Sequence, residues 1–441
     1  MSKVNKYKED IMKFIKKFLS LSLLIPMCML NFVPSFAANS GESSFPEKFL
    51  KFSNIVTERT SKVNKTSETL QNEQKNTASQ AMYDFAVKSL QKEYKNENTL
   101  LSPLSIISAL GMTCNGAKGE TLSQMEKTLG FKTNELNKYI SAYKNSDKED
   151  LPKVFSANSV WVNKNTDFKS KKEFEDKIKK YYKGEIETLA FNDTAKNKIN
   201  KWVDKNTSGM IKEIINDISP DAIMYLINAL SFDAKWESEY EKSDVRKDKF
   251  TEETGKKIDV DMMHSDESYY ISGKNETGAI KYYKGGQYAF VTLLPKKAGI
   301  KNYLDTLNGK YLSNLIKNAE NTDVILELPK FKAEYGTELG ATLKSMGMKN
   351  AFDKDLADFH NMGTWKEGNV LISKVLHKTF IEVSEQGTKA AAATAVIMEK
   401  CTAMPTFKEP KKVILDRPFV YMIVDMQNQI PLFIGTEMTV K

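Results

Sequence analysis

Cysteine and histidine are scarce: the chain holds three of each, Cys28, Cys114 and Cys401, and His264, His360 and His377. So few cysteines exclude a disulfide-stapled scaffold and any zinc module built on four thiolates. No histidine has a second one within helical reach along the sequence, so the metal helix of a zinc protease is absent. Glycine and proline, at 21 and 12, are too few for a collagenous or low-complexity chain. Also missing are a G-x-S-x-G elbow, a P-loop and a G-x-G-x-x-G turn. A Cys-His protease built on Cys401 and His377 fails differently, because Cys401 lies among Ala, Lys, Thr and Pro with no helix start to lower its pKa. These absences point away from an enzyme, a metal site and a bound cofactor.

What is present is 441 residues, 41% hydrophobic and 28% charged, enough for a large core. Lys16-Lys17 precede the apolar run Phe18 to Leu30, which leads to the small-residue site Ser35-Phe36-Ala37-Ala38. This is the pattern of a secretory signal peptide over residues 1–38. A membrane span is the alternative, but Pro26 interrupts the run and leaves it short of the roughly 20 apolar residues a span needs. Cys28 reads as filler of the apolar region. Removing the leader takes away six Lys and two acids, so net charge falls from +8 to +4 and the basic balance says nothing about nucleic acid. A bridge between Cys114 and Cys401 is the one disulfide open to the exported chain; two free thiols are expected instead.

Residues 39–77 are polar and read as a linker with one short helix around Phe45 to Val56. From Ala78 onward no Pro/Gly-rich break occurs, so residues 78–441 form one large domain. Ala81, Met82, Phe85, Ala86 and Leu90 recur at helical spacing. Ser102 is placed to cap a helix that has Pro103 first and ends at Asn115-Gly116. Val154 to Val162 and Ala222 to Leu230 are near-continuous apolar runs, as expected of strands buried on both faces. Val324 to Leu328 and Phe419 to Val424 are further strands, and Leu339 to Met346 a helix stopped by Gly347. The class is α+β. Trp202 and Trp236 read as core aromatics.

The order of short segments resembles one family, the serpins. The resemblance runs from about Ala78 to Met438 through Leu101-Ser102-Pro103-Leu104-Ser105-Ile106, Gly116-Ala117-Lys118-Gly119, Ala157-Asn158-Ser159, Asn200-Lys201-Trp202-Val203, Asn228-Ala229, Leu328-Pro329-Lys330-Phe331 and Asp416-Arg417-Pro418-Phe419. Its most specific piece, Glu385-Gln386-Gly387-Thr388-Lys389-Ala390-Ala391-Ala392-Ala393-Thr394-Ala395, is similar to the hinge of inhibitory serpins. The resemblance implies the serpin fold: three β-sheets with a large central sheet, eight to nine helices and an exposed reactive-centre loop. It also implies a mechanism, in which a protease cleaves the loop and the hinge side enters the central sheet as a new strand. Two positions depart from the family pattern. Phe232-Asp233-Ala234 stands where Phe-Lys-Gly is usual ahead of Trp236, and Lys389 stands where Glu is usual after the hinge threonine.

The residues can be read against that mechanism. An inserting strand must lack Pro, which would delete a ladder hydrogen bond, and Gly387 to Glu399 contains none. Alternate residues Thr388, Ala390, Ala392, Thr394, Val396 and Met398 share one small or apolar face, while Lys389 falls on the other. An Ala-rich helix or flexible linker is the plainer reading of Ala390 to Ala395. Gly387 is expected to supply the permissive φ at which the loop pivots; a plain turn glycine is the alternative. By resemblance, Ser102, Ser105, Asn228 and His377 form the polar cluster beneath the opening of the sheet, and Trp236 lies near the point of hinge entry. The family's spacing from the hinge glycine puts the scissile bond at Cys401-Thr402, with Lys400-Cys401 as runner-up; Met404 is disfavoured by Pro405. A Cys there suits proteases with medium apolar pockets, a Lys those with an acidic one. The expectation is therefore a secreted, monomeric inhibitor that traps a serine endopeptidase, or a cysteine endopeptidase, in a covalent complex, with no nucleic-acid partner and no membrane span in the mature chain. The alternative is a non-inhibitory serpin acting as a binding or carrier protein.

Overall fold

Among the described residues the first helix, α1, covers residues 75–93, which includes three residues before the boundary expected from composition, and it buries Met82, Phe85, Ala86 and Leu90 on one face. The computed structural model describes residues 75–143, 152–297, 299–366, 368–388 and 409–440. The leader, the linker up to residue 74, Lys389, the hinge residues Ala390 to Thr394 and the candidate bonds at Lys400, Cys401 and Thr402 lie outside the described residues.

After β1 (Thr99–Leu101), Ser102 Oγ accepts from the Ser105 amide at 3.3 Å and caps α2 (Pro103–Cys114), which closes at Asn115 as its sequence predicts. Every residue of α2 is buried. The chain continues through α3 (Gly119–Leu129), α4 (Thr133–Ala142), β2 (Lys153–Asn163), β3 (Lys169–Ser170), α5 (Lys172–Tyr182), β4 (Glu185–Leu189), α6 (Asp193–Asn206) and β5 (Met224–Lys235). Antiparallel strands follow, β6 (Val245–Thr251), β7 (Lys257–Ser272), β8 (Glu276–Tyr282) and β9 (Tyr288–Pro295), then α7 (Ile300–Thr306), α8 (Gly309–Lys317), β10 (Glu320–Pro329), β11 (Phe331–Glu338), α9 (Gly340–Ser345) and β12 (Gly363–Thr364). The last stretch holds β13 (Lys374–Ser384), a two-residue β14 (Gly387–Thr388), β15 (Lys411–Ile414), β16 (Phe419–Asp425) and β17 (Ile430–Glu437).

Among the described residues these make nine helices and three sheets. The sheet orders are β1-β17-β16-β9-β8-β7-β10-β15 with β6 added on β7, β11-β13-β14-β5-β2-β4, and β12-β3. The fold is that expected of the α+β class with a large central sheet.

The six-stranded sheet separates two hydrophobic clusters, and its apolar strands read as continuous because both faces are covered. Tyr225, Ile227 and Ala229 of β5 join Ala157 and Trp161 of β2 in packing under Ile199 and Val203 of α6. The residues between them, Met224, Leu226, Leu230, Phe232 and Ala234, point to the opposite face and into the main core. β5 runs unbroken through Asp233 and Ala234 to Lys235, so the departure from Phe-Lys-Gly does not shorten the strand. Trp161 is fully buried, whereas Trp202 is only half-buried, edge-on to it with ring centroids 6.0 Å apart. The expectation of a core position for Trp202 is corrected accordingly: α6 packs on the outside of the sheet, and its residue 202 sits at the margin of that contact.

Candidate functional site

The seam between β5 and β13 organises the site. Seven residue pairs, Lys374↔Tyr225 to Phe380↔Ser231, join these strands in parallel. Above Phe380 the strands part, and β14 occupies the gap. Gly387 lies opposite Ser384 and Lys235, and Thr388 opposite Val383 and Ala234, antiparallel to both neighbours. The two hinge residues thus form the top rung of a strand inside the sheet.

Gly387 is required there on two counts. Its φ is +148°, a region L side chains rarely adopt, and a Cβ would come within 1.9 Å of the Ala234 carbonyl oxygen. Close backbone approach, beyond the permissive φ expected from sequence, thus fixes the residue as glycine. Thr388 is fully buried on the core face, beside Val383 and Ala234, and its Oγ1 lies 2.6 Å from the Tyr283 hydroxyl.

Trp236 follows β5 directly and anchors the turn that leads into β14. Its Nε1 donates to the Ser384 carbonyl at 2.9 Å, and its amide donates to the Gln386 carbonyl at 3.0 Å. The Tyr240 amide holds the Glu385 carbonyl at 2.9 Å, and Ser384 Oγ donates to the Gly387 carbonyl at 3.2 Å. Every carbonyl from Ser384 to Gly387 therefore has a donor. Glu385 is clamped at 2.6 Å by Lys330, from the link between β10 and β11. Burial works against the charge of Glu385, but the hydrogen bond from Lys330, a backbone hydrogen bond and the Lys330 charge together outweigh it and hold the carboxyl below its usual range. Behind Trp236, the buried Lys281 ammonium pairs with Glu267 at 2.7 Å and lies over the Tyr240 ring at 4.4 Å and the Trp236 ring at 5.4 Å.

Lower in the seam the expected polar cluster is assembled. His377 and Asn228 are register partners across β13 and β5, and Asn158 is the partner of Asn228 on β2. The Ser102 amide donates to His377 Nε2 at 3.1 Å, which leaves the ring proton on Nδ1, donating to Asn228 Oδ1. Asn228 Nδ2 donates to Ser105 Oγ and to Asn158 Oδ1, each at 2.5 Å. Burial pulls the His377 pKa down from 6.5 to about 3, so the ring is neutral across ordinary pH. The cluster ties the start of α2 to three strands through side chains and the Ser102 amide. Such side-chain bonds can re-pair when strands separate.

The structure brings Glu385, Gly387, Thr388 and Trp236 together at one end of the seam and Ser102, Ser105, Asn228 and His377 beneath it. Sequence reading missed Tyr283, Tyr240, Lys330 and the Lys281–Glu267 pair as members of the upper group, and Asn158 as a member of the lower one. Asn158 could have been found, since a lone amide amid the apolar run of β2 marks a buried polar partner. Tyr283 carries no local signal: it follows β8 in a pair of tyrosines and meets Thr388 across 105 residues. Cys114 is buried and free, with burial pushing its thiol up.

Comparison with known proteins agrees with this geometry. The family model described as serpin (serine protease inhibitor) matches residues 80–439. An uncharacterized serpin-like protein of Thermococcus kodakarensis is 32% identical over 355 residues, covering 78% of this chain and 82% of its own. Human serpin B4 is 32% identical over 372 residues, covering 78% of this chain and 94% of its own. The crystal structure of the thermophilic serpin tengpin in its native state superimposes with a TM-score of 0.77 at 43% identity, covering 82% of this chain and 94% of that one. Human thyroxine-binding globulin in complex with thyroxine superimposes with a TM-score of 0.75 at 26% identity, covering 83% of this chain and 100% of that one. A single model thus spans nearly all the described residues, with the hinge lodged in a seam of the central sheet: the chain belongs to the serpin family of protease inhibitors.

Proposed function

We propose that the chain is a secreted inhibitor that traps a serine endopeptidase by a suicide route, with a cysteine endopeptidase as the alternative target. The observation that carries this reading is the placement of Gly387 and Thr388 as a two-residue strand between β13 and β5. A chain that already pairs with both seam strands needs only to extend downward, and the sequence from Thr388 to Glu399 is proline-free and small or apolar at the alternate positions that share the face of Thr388. Cleavage beyond the hinge frees that segment. The protease serine displaces the amine of the residue after the cleaved bond and stays ester-linked to the new C-terminus of the loop, so insertion carries the protease along the sheet with that end before water can hydrolyse the ester. The leader pattern at 1–38 supports export, and no helix among the described residues is long and apolar enough to cross a membrane. The spacing from Gly387 favours Cys401-Thr402 as the cleaved bond, with Lys400-Cys401 as runner-up.

The same fold in thyroxine-binding globulin supports a second reading, a small-molecule carrier. The hinge argues for inhibition, because a carrier has no need of a small-sided, proline-free strand poised at an open seam. Incubation with a panel of proteases, followed by denaturing electrophoresis, decides between them. A covalent complex that survives detergent is expected; cleavage of the loop by every protease without such a complex would overturn inhibition. Mass spectrometry of the released C-terminal peptide identifies the bond, and a peptide starting at Met404 or later would show the spacing argument wrong.

A further inference from the structure

Tyr283 belongs to none of the sequence segments that carry the family resemblance, yet its hydroxyl is the side-chain partner of the hinge threonine, 2.6 Å from Thr388 Oγ1 and fully buried. The position of that hydroxyl is set by packing against β5 and the residue that follows it. The ring stacks on Trp236 at 4.4 Å with a 12° interplanar angle and stands edge-on to Phe232 at 4.9 Å. Its amide donates to the Tyr288 carbonyl at 3.0 Å, in the turn between β8 and β9. The phenol is therefore held between the nine-stranded sheet and the β5 side of the seam, with none of these contacts coming from β13.

This matters because backbone pairing alone does not specify where the hinge sits. A strand that slips by two residues keeps the same face toward the core; in this hinge the slip exchanges Gly387 for Lys389, whose Cβ the Ala234 carbonyl opposes, and Thr388 for Ala390 on the core face. Small uniform side chains resist such a slip poorly. A buried tyrosine hydroxyl does discriminate, since it is satisfied opposite a threonine and left without a partner opposite an alanine. We propose that Tyr283 is a positioning residue: it pins Thr388 as the fixed first rung of β14 and so sets the register in which the loop enters the sheet. The register claim rests on the insertion reading above; the pin itself does not.

The test is a double-substitution cycle on the intact full chain. Tyr283→Phe leaves the threonine hydroxyl buried without a partner, Thr388→Val leaves the phenol so, and the double variant removes both groups at nearly constant volume. Hydrogen–deuterium exchange across residues 381–388, with no protease present, is expected to quicken about 10-fold in each single variant and to return close to the wild-type rate in the double. Stoichiometry of inhibition against a trapped protease should follow the same order, rising in the singles and recovering in the double. Unchanged exchange in both singles, or effects that multiply in the double, would overturn the pin. A rescued exchange rate with unmoved stoichiometry would overturn its role in register. If the wild type traps no protease, the suicide reading fails while the exchange cycle still decides the pin.

Discussion

Replacing Thr388 with Arg places a guanidinium where the structure has no room for a charge. The side chain faces Val383, Ala234 and the Tyr283 hydroxyl, and it is fully buried. The carboxylate behind this end of the seam, Glu267, is already paired with Lys281, and Glu385 with Lys330. An uncompensated buried charge costs roughly 3–5 kcal/mol, so β14 should leave the sheet in the intact protein, and insertion after cleavage should start against the same penalty. Taking about 3 kcal/mol as the rise in barrier, insertion slows by roughly 100-fold, while hydrolysis of the acyl-enzyme is untouched. The competition then turns, and the inhibitor becomes a substrate. Stoichiometry of inhibition, measured by titrating a trapped protease, should rise at least about 10-fold for this barrier change. Lys389→Glu is the control: it alternates to the other side of an extended strand, where a charge is worth at most about 1 kcal/mol. A Thr388→Arg protein that traps with unchanged stoichiometry would refute both the assignment of the core-facing residues and the insertion mechanism.

Gly387→Ala should detach β14 with little effect on the rest of the fold, because the added Cβ meets the Ala234 carbonyl and the φ is disfavoured; faster hydrogen exchange confined to 384–388 is the check. Chain cleaved within the loop should melt well above intact chain, since insertion adds ladder hydrogen bonds and buried area; equal melting temperatures would count against insertion. His377 gives a signed pH prediction. Its pKa is depressed to about 3 in the folded chain from 6.5, so the unfolded chain takes up a proton first as pH falls. The contribution is complete above pH 6.5 and is lost between there and pH 3, by roughly 5 kcal/mol at most. Denaturant midpoints should fall with pH over that window and fall less in His377→Gln.

Local chemistry made much of the architecture legible. Ser102-Pro103 announces α2, the small-residue apolar runs announce β2 and β5, and the proline-free stretch after Gly387 announces a strand-competent hinge. The polar cluster was readable only because Ser102, Ser105, Asn228 and His377 lie in segments similar to a known family; nothing in their spacing says that they meet. What escaped the sequence are contacts set by strand order. Tyr283 reaches Thr388, and Lys330 reaches Glu385, only because β13 pairs with β5 and leaves a gap above Phe380. Trp202 was misplaced for the same kind of reason: an aromatic at helical spacing does not reveal that its helix lies outside the sheet.

The parallel pairing of β5 with β13 has a consequence for what stability means in this molecule. A strand extending β14 down the seam would replace each parallel rung by two antiparallel ones, and the antiparallel ladder is the stronger per residue. On the insertion mechanism proposed above, the intact arrangement is not the lowest state open to its own sequence. It persists because the rungs from Lys374↔Tyr225 to Phe380↔Ser231 must break before any can be exchanged. The melting temperature of the intact chain therefore measures an escape rate and should move with heating rate. Substitutions that loosen the seam shorten the shelf life of the inhibitor in proportion, even where they leave its final, inserted form more stable than before.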